Sequence, residues 1–231
     1  MFVTQESAPI AVRSRPSRPP EVPGPLDVLA GRVRPTAASR TRLLAVHPPL
    51  VPLLPDGGLR RGSVVHCTGQ GALSLMLAVA GRPSAAGSWC GTVGVDDLGA
   101  LAAADYGVDL RRLAVVQVPP AEWAPATGHL LDGFDVVMVQ PPGRARPAVA
   151  RQLVARARQR GAVLLVLGSP SSWPEAVDVL LRVGDLRWRG LDRGAGHLGP
   201  RRVVVEARGR GVASRPVCRQ LWLPTATGGV G

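Results

Sequence analysis

The sequence predicts an α/β domain in which helices flank a mostly parallel central sheet, and two observations support this fold class. Five runs rich in Val, Leu and Ala carry almost no polar residue, which is typical of parallel strands buried on both faces. Helical stretches separate successive runs, and this alternation favours right-handed crossovers within one sheet. The predicted strands are Val64–Cys67, Trp89–Val95, Ala114–Val118, Val136–Val139 and Val163–Leu167, and the predicted helices are Ala72–Ala80, Leu98–Tyr106, Ala121–Leu131 and Ala145–Arg160.

The pattern changes after the fifth run. Ser169–Pro174 is predicted to be a loop and Glu175–Val177 a short helical turn. The segments Val179–Trp188, Arg202–Ala207 and Gln220–Leu223 alternate between apolar and polar residues, as half-buried antiparallel strands do. We therefore expect an antiparallel edge at the C-terminal end of the sheet.

The N-terminal part of the chain differs in composition from the rest. It is rich in proline and arginine, with candidate short helices at Leu26–Val33 and Thr36–Val46. Two interpretations are open, a partner-binding arm and an extension without fixed structure. The predicted organisation is a flexible basic arm over residues 1–50, a core domain over residues 51–224 and a disordered tail over residues 225–231.

The charge of the chain is concentrated at its ends. The net charge is +12, and all 28 basic residues are arginine. Residues 1–50 carry seven arginines against three acids, residues 51–181 eleven against ten, and residues 182–231 ten against three. This distribution points to a polyanion or an acidic partner, with the stronger signal at the C-terminal end.

Several function classes are disfavoured by composition. Cys67, Cys90 and Cys218 are scattered, and so are the four histidines, so no metal site is expected. The sequence has neither a long uncharged apolar run nor a basic start followed by an apolar stretch, so no transmembrane helix or signal peptide is expected. Unclustered cysteines are typical of a reducing compartment, and we expect a cytoplasmic protein.

A glycine-rich corner after the first core strand carries the main functional signal. The order strand, glycine loop and helix cradles phosphate in nucleotide-binding proteins, because free backbone N–H groups point at the anion. Here only Gln70 separates Gly69 from Gly71, a shorter spacer than the pattern GxxxxGK[ST] requires. Ala72 and Leu73 stand where Lys and Ser or Thr would follow, and the chain has no lysine at all. The loop is therefore a degenerate phosphate loop.

Several segments together resemble RecA-type recombinases, in the same order and with similar spacing. Gly57–Val65 resembles the lead-in to the first core strand, and Phe134–Gln140 resembles the Walker B strand. Within that superfamily the likeness is strongest to a shortened branch, ImuA (ImuA-prime in high-GC bacteria), over roughly residues 51–224. The other segments that carry the likeness are Asp105–Leu113, Gly161–Val166, Leu186–Leu191, Arg201–Gly211 and Leu221–Pro224.

The resemblance breaks down at the catalytic positions. The Walker B strand of the family ends in a magnesium-binding Asp, and Gln140 stands there in this chain. Asp135 lies at the start of the strand, the wrong end for a metal. Asp96 and Asp97 lie near the place of the water-activating Glu but are predicted to be a helix N-cap and a first-turn acid. We expect no enzyme activity and no cofactor, because the charges that stabilise a transferring phosphoryl group are absent.

The C-terminal region holds the candidate binding residues. DNA-binding loops leave the later half of the sheet in the recombinases, and a Gly-rich connection before the last strands is the counterpart here. Trp188 has arginines on both sides and could stack a base. The alternative is that Trp188 packs inward while the arginines face solvent. The candidate residues for DNA or partner binding are Arg187, Trp188, Arg189, Arg193, Arg201 and Arg202.

The resemblance implies a role in the SOS response to DNA damage, in mutagenic translesion synthesis and DNA repair. The chain would be a non-catalytic RecA-like adaptor that joins an ImuB-like inactive Y-family polymerase and, indirectly, an error-prone C-family DNA polymerase at damaged DNA. The alternative is a RecA paralogue that binds single-stranded DNA and retains residual nucleotide binding. Five Trp, one Tyr and two Phe offer few stacking platforms, which weighs against an autonomous single-strand binder.

Overall fold

The computed structural model describes residues 42–190, 199–209, 215–225 and 229–231. Short 3-10 segments lie at Pro48–Leu53 and Leu110–Arg112. The α-helices are α1 (Ala72–Ala85), α2 (Ala100–Asp105), α3 (Trp123–Gly133) and α4 (Pro147–Arg160). The strands are β1 (Leu43–Ala45), β2 (Gly58–Arg60), β3 (Val64–Gly69), β4 (Cys90–Val93), β5 (Leu113–Val116), β6 (Val136–Val139), β7 (Val163–Leu167), β8 (Val179–Trp188), β9 (Arg201–Gly209) and β10 (Val217–Trp222).

The main sheet of the described residues has eight strands in the order β10-β9-β8-β3-β7-β6-β4-β5. Every pair from β8 through β3, β7, β6 and β4 to β5 is parallel. The pairs β8–β9 and β9–β10 are antiparallel. The predicted fold class is therefore confirmed, including the antiparallel C-terminal edge.

Two apolar layers enclose the parallel strands. β6 and β7 consist entirely of buried residues, so both faces of each strand need a covering layer. One face packs against α1 and the N-terminal 3-10 segment, and the other packs against α3 and α4. The crossover helices thus cover the strands as the sequence pattern predicts.

Within residues 42–190, 199–209, 215–225 and 229–231, the three C-terminal strands are covered on one face only. Leu181, Val203 and Leu221 join the core beneath α1, whereas the core beneath α3 and α4 includes no described residue of β8, β9 or β10. Along β9 buried residues alternate with more exposed ones. We call the uncovered side of these strands the open face. Its residues are Leu180, Arg182, Gly184 and Arg187 from β8, Arg202, Val204, Glu206 and Arg208 from β9, and Cys218, Gln220 and Trp222 from β10.

The core begins before the predicted boundary at residue 51. Leu43–Ala45 pairs with β2 in a two-stranded antiparallel sheet, so the predicted helix Thr36–Val46 is wrong for these residues. Pairing with a distant strand overrides the local helical pattern here, and Leu50 is also buried in the core. The other part of the predicted arm, residues 1–41 with the candidate helix Leu26–Val33, lies outside the described residues.

The segment that leads into β8 is not helical. The predicted helical turn at Glu175–Val177 is wrong, because these residues form neither a helix nor a hydrogen-bonded turn before the chain pairs with β3. Asp178 fixes this course: its N–H donates to the Val64 carbonyl oxygen at 2.9 Å, and its carboxylate accepts from the Val64 N–H at 2.9 Å.

The adjacent acids Asp96 and Asp97 do not begin a helix. They lie in a turn, and α2 starts only at Ala100, with Gly99 as its N-cap and no acid in its first turn. Aspartate is as much a turn residue as a capping residue, which explains why the predicted capping role is wrong.

The C-terminal end of the chain contacts β10. Gly231 exchanges two backbone hydrogen bonds with Trp222, at 2.6 and 3.2 Å. The predicted disordered tail is therefore wrong for Gly231, while residues 226–228 lie outside the described residues.

Candidate functional site

The corner between β3 and α1 holds the degenerate phosphate loop. β3 ends at Gly69 and α1 begins at Ala72, so only two residues connect them. Gly69 and Gly71 have φ angles of 93° and 83°, a region that favours glycine. A Cβ added at Gly69 would lie 2.1 Å from the Val183 carbonyl oxygen, so β8 passes too close for any side chain. A turn this short presents fewer amides to an anion than a full phosphate loop does.

Arg201 fills the space in front of the N-terminus of α1. A Cβ added at Gly71 would lie 3.2 Å from Arg201 Nη2, so the guanidinium lies directly against this glycine. Arg201 Nε donates to the Leu223 carbonyl oxygen at 2.7 Å, and its Cζ lies 5.0 Å from the centroid of the Trp188 ring. The residue is 8% exposed, and its Nη2 has no hydrogen-bond partner among the described residues. The guanidinium of Arg201 therefore lies beside the N-cap of α1, against the degenerate phosphate loop.

Tyr106, the C-cap of α2, is a neighbour of this arginine. Burial raises the pKa of Tyr106, and hydrogen bonds from the side chains of Ser74 and Arg201 act in the opposite direction. The phenol is therefore neutral at physiological pH and does not supply a negative charge to Arg201.

The two ends of β6 have different chemistry. Gln140 follows the carboxyl end and is exposed, and its neutral amide brings no charge for a metal. Asp135 precedes the amino end and is buried, where it accepts from Arg61 Nη1 at 2.9 Å and from the Trp89 N–H at 3.0 Å. Asp135 therefore ties two segments together at the end of the sheet remote from the glycine corner.

A metal site or a reactive buried thiol would be a further source of catalysis in the described ranges. No group of three or more His, Cys, Asp or Glu side chains there could hold a metal ion. Burial raises the pKa of Cys67 and of Cys90 to about 12, so neither thiol supplies a thiolate nucleophile.

The helices of the described residues are too short or too polar to span a bilayer.

The structure divides the candidate binding residues between the two sides of the sheet. Arg187 pairs with Arg202 on the open face, whereas Trp188 pairs with Arg201 on the covered side. A register shift after Gly184 separates these positions from the regular alternation of β8. Trp188 is 39% exposed and lies over Arg201, so it neither packs fully inward nor joins the arginines of the open face.

The open face also gathers residues that the sequence did not single out. Arg189 places its guanidinium 4.9 Å from the centroid of the Trp222 ring, which joins it to this face. Arg182, on the strand that pairs with β3, and Arg208, on β9, lie on the same face. The sequence shows only that these two arginines occupy alternate positions along predicted strands. The antiparallel pairing of β8 with β9 is what brings them together. Arg193 lies outside the described residues.

A model of the protein family described as the MT3502 N-terminal domain matches residues 52–175, more than half of the chain. The chain belongs to this family. The match begins within the N-terminal 3-10 segment, ends before β8, and includes the glycine corner. A relative of this MT3502 family member is the uncharacterized protein Rv3395c of Mycobacterium tuberculosis, 44% identical over 98 residues. The aligned part is 42% of this chain and 48% of that protein, so the chain spans about half the length of this relative.

Solved structures similar to this MT3502 family member have the RecA-like fold. The crystal structure of the RadB recombinase has a TM-score of 0.56 at 15% identity, covering 77% of this chain and 93% of that chain. A KaiC-like protein, PH0186 from Pyrococcus horikoshii OT3, has a TM-score of 0.56 at 13% identity, covering 82% and 97%. At these identities the likeness establishes the fold alone, and the predicted RecA-like core is confirmed.

Proposed function

We propose that this chain is a non-catalytic RecA-like adaptor in error-prone translesion synthesis induced by DNA damage. The observation that carries the proposal is Arg201 against Gly71. It supports a fold that has kept the strand, turn and helix of a nucleotide site while a side chain of the same protein lies against the shortened loop. A protein of this kind acts through its surfaces rather than through turnover.

The absence of ATPase activity is part of the proposal. Phosphoryl transfer depends on positioned cations and magnesium around the transferring group. Gln140 replaces the metal-binding acid, the loop has no lysine, and Asp135 is occupied by Arg61 and the Trp89 amide. Losing such preorganised charges costs several orders of magnitude in rate, which supports a role without catalysis and without a cofactor.

The partners of the adaptor are proposed from the resemblance to ImuA. They are an ImuB-like inactive Y-family polymerase and, through it, an error-prone C-family DNA polymerase. The proposed setting is the cytoplasm, and the three unpaired cysteines support a reducing compartment.

The partner proposal is tested with purified proteins. The tagged full chain is mixed with an ImuB-like protein and, as a matched control, with a catalytically active Y-family polymerase, and each mixture is analysed by size-exclusion chromatography with light scattering. We expect a stable complex with the ImuB-like protein alone. Equal association with both proteins, or with neither, would overturn the assignment. Deletion of the gene should also lower the frequency of damage-induced mutations, and an unchanged frequency would count against the role.

A further inference from the structure

Five arginines lie on or beside the open face. Arg187 pairs with Asp185 at 3.3 Å and Arg208 pairs with Glu206 at 2.6 Å, both in exposed positions where ion pairs contribute little. Arg182 and Arg202 form no ion pair among the described residues, although Arg182 lies opposite Glu206 in the β8–β9 register. The arginines of this face are Arg182, Arg187, Arg189, Arg202 and Arg208.

An aromatic ring lies within the same surface. Trp222 is partly exposed and faces the open side opposite Arg202, and Arg189 lies over its ring at 4.9 Å. An indole and a guanidinium plane are the groups on which unpaired bases stack, whatever the base sequence. Arg202 and Arg208 are six positions apart on β9, which is about 20 Å along the strand. The face therefore combines a basic track with a stacking platform at one end.

A groove marks the other end of the track, beside β3. It has a volume of about 340 Å³ and is lined by Thr68, Gly69, Pro170, Leu180, Arg182, Glu206 and Arg208, so that two arginines outnumber one acid. Thr68 is 1% exposed, and its Oγ1 has no hydrogen-bond partner in the described part of the chain. Two guanidinium groups and an unused hydroxyl are suitable donors for a phosphate oxygen.

We propose that the open face of β8, β9 and β10 binds single-stranded nucleic acid, with Arg182, Arg202 and Arg208 along the phosphates and Trp222 beneath a base. Stacking on Trp222 needs a base that is not paired within a duplex, which favours a single strand. An acidic protein would satisfy the arginines but would make no use of the aromatic platform. The inference deepens the adaptor proposal and rests on it only for placing the protein at damaged DNA.

Binding is measured by fluorescence anisotropy of the full chain with a labelled oligothymidylate over a series of salt concentrations. Each phosphate contact contributes about 0.7 to the slope of log K against log salt for a single strand. We expect the double variant Arg182→Ala/Arg202→Ala to lower the slope by about 1.4. The matched control, Arg82→Ala/Arg111→Ala, removes the same charge from exposed positions on α1 and before β5 and should leave the slope unchanged.

The aromatic platform has its own variant. Trp222→Ala should weaken binding on the order of tenfold, because stacking on an aromatic ring is lost. Trp222→Phe keeps a ring and should lose less. Circular dichroism and urea unfolding identify any variant that fails to fold. If a Trp222 variant does not fold, the charge variants still test the inference, because their side chains are on the surface.

Protection of Cys218 from alkylation tests directly whether the oligonucleotide binds to this face. It is exposed and lies on the open face opposite Glu206, whereas the two other cysteines of the chain are buried. Saturating oligonucleotide should slow alkylation of Cys218 severalfold in the unmodified protein. Protection by poly-glutamate as strong as that by the oligonucleotide would instead assign the face to an acidic protein.

Three results overturn the inference: oligonucleotide binding without protection of Cys218, equal loss in the control variant, or no binding at low salt. The adaptor proposal is judged separately. If the chain forms a complex with the ImuB-like protein but its open face binds no oligonucleotide, only this inference is refuted. If the open face binds the oligonucleotide but no complex forms, only the adaptor proposal is refuted.

Discussion

Substitution of Asp135 tests whether this residue is a structural acid or a remnant of a metal site. Its carboxylate accepts from Arg61 Nη1 at 2.9 Å and from the Trp89 N–H at 3.0 Å. The side chains of Arg61 and Asp135 are 15% and 10% exposed, so the pair is largely shielded from water. We predict that Asp135→Ala destabilises the fold and leaves its response to magnesium unchanged.

The magnitude follows from burial. Removing one partner of a buried ion pair costs about 3–5 kcal/mol, and the residual exposure places Asp135→Ala near about 3 kcal/mol. Asp135→Asn keeps an acceptor for the Trp89 amide and loses only the charge, so about half of that cost is expected. With a urea m-value of about 2 kcal/mol per molar, the unfolding midpoint of the alanine variant falls by about 1.5 M.

Urea unfolding followed by tryptophan fluorescence measures these changes, and Arg61→Ala with the double variant completes a mutant cycle. A coupling free energy of about 1–2 kcal/mol between the two side chains is expected. A loss below about 0.5 kcal/mol for Asp135→Ala, typical of surface substitutions, would refute the reasoning. Stabilisation of the unmodified protein by magnesium, absent in the variant, would reassign Asp135 as a metal ligand.

Three further predictions concern backbone, proton and thiol chemistry. Gly69→Ala should cost about 3 kcal/mol or more, measured by urea unfolding, because its φ is 93° and the new Cβ would lie 2.1 Å from the Val183 carbonyl oxygen. Burial lowers the pKa of His66, so the unfolded chain takes up its proton first as the pH falls. Stability should then decrease below about pH 6.5, and less steeply in His66→Gln, when midpoints are compared over pH. A thiol reagent should find one reactive cysteine, Cys218, in the folded protein and three after unfolding, because the other two are buried.

The central fold follows from the sequence because its strands are locally distinctive. Val136–Val139 and Val163–Leu167 are apolar runs buried on both faces, and their predicted limits agree with the structure. The edges depend on non-local pairing instead. Leu43–Ala45 is a strand only because Gly58–Arg60 pairs with it, and the non-helical segment Glu175–Val177 leads into Asp178, which is held by Val64 of β3. Neither partner is encoded near the segment it fixes.

The sequence alone shows which catalytic residues are missing from the site, but it does not show which side chain lies against the glycine loop. The missing lysine and Gln140 are visible in the sequence alone. The position of Arg201 is not, because it comes from a strand 130 residues after Gly71 in the chain. The shift after Gly184 reverses which residues of β8 face outward, so Arg187 and Trp188 could not be assigned to faces by simple alternation.

The most direct test of the account is a titration of the purified full chain with ATP and magnesium, followed by calorimetry and by release of inorganic phosphate. With Arg201 against Gly71 and no lysine in the loop, we predict neither saturable heat nor phosphate release above a no-protein blank. Magnesium-dependent hydrolysis that co-purifies with the chain and disappears in a folded variant of Gly71 would contradict the central claim that the nucleotide site has been given up.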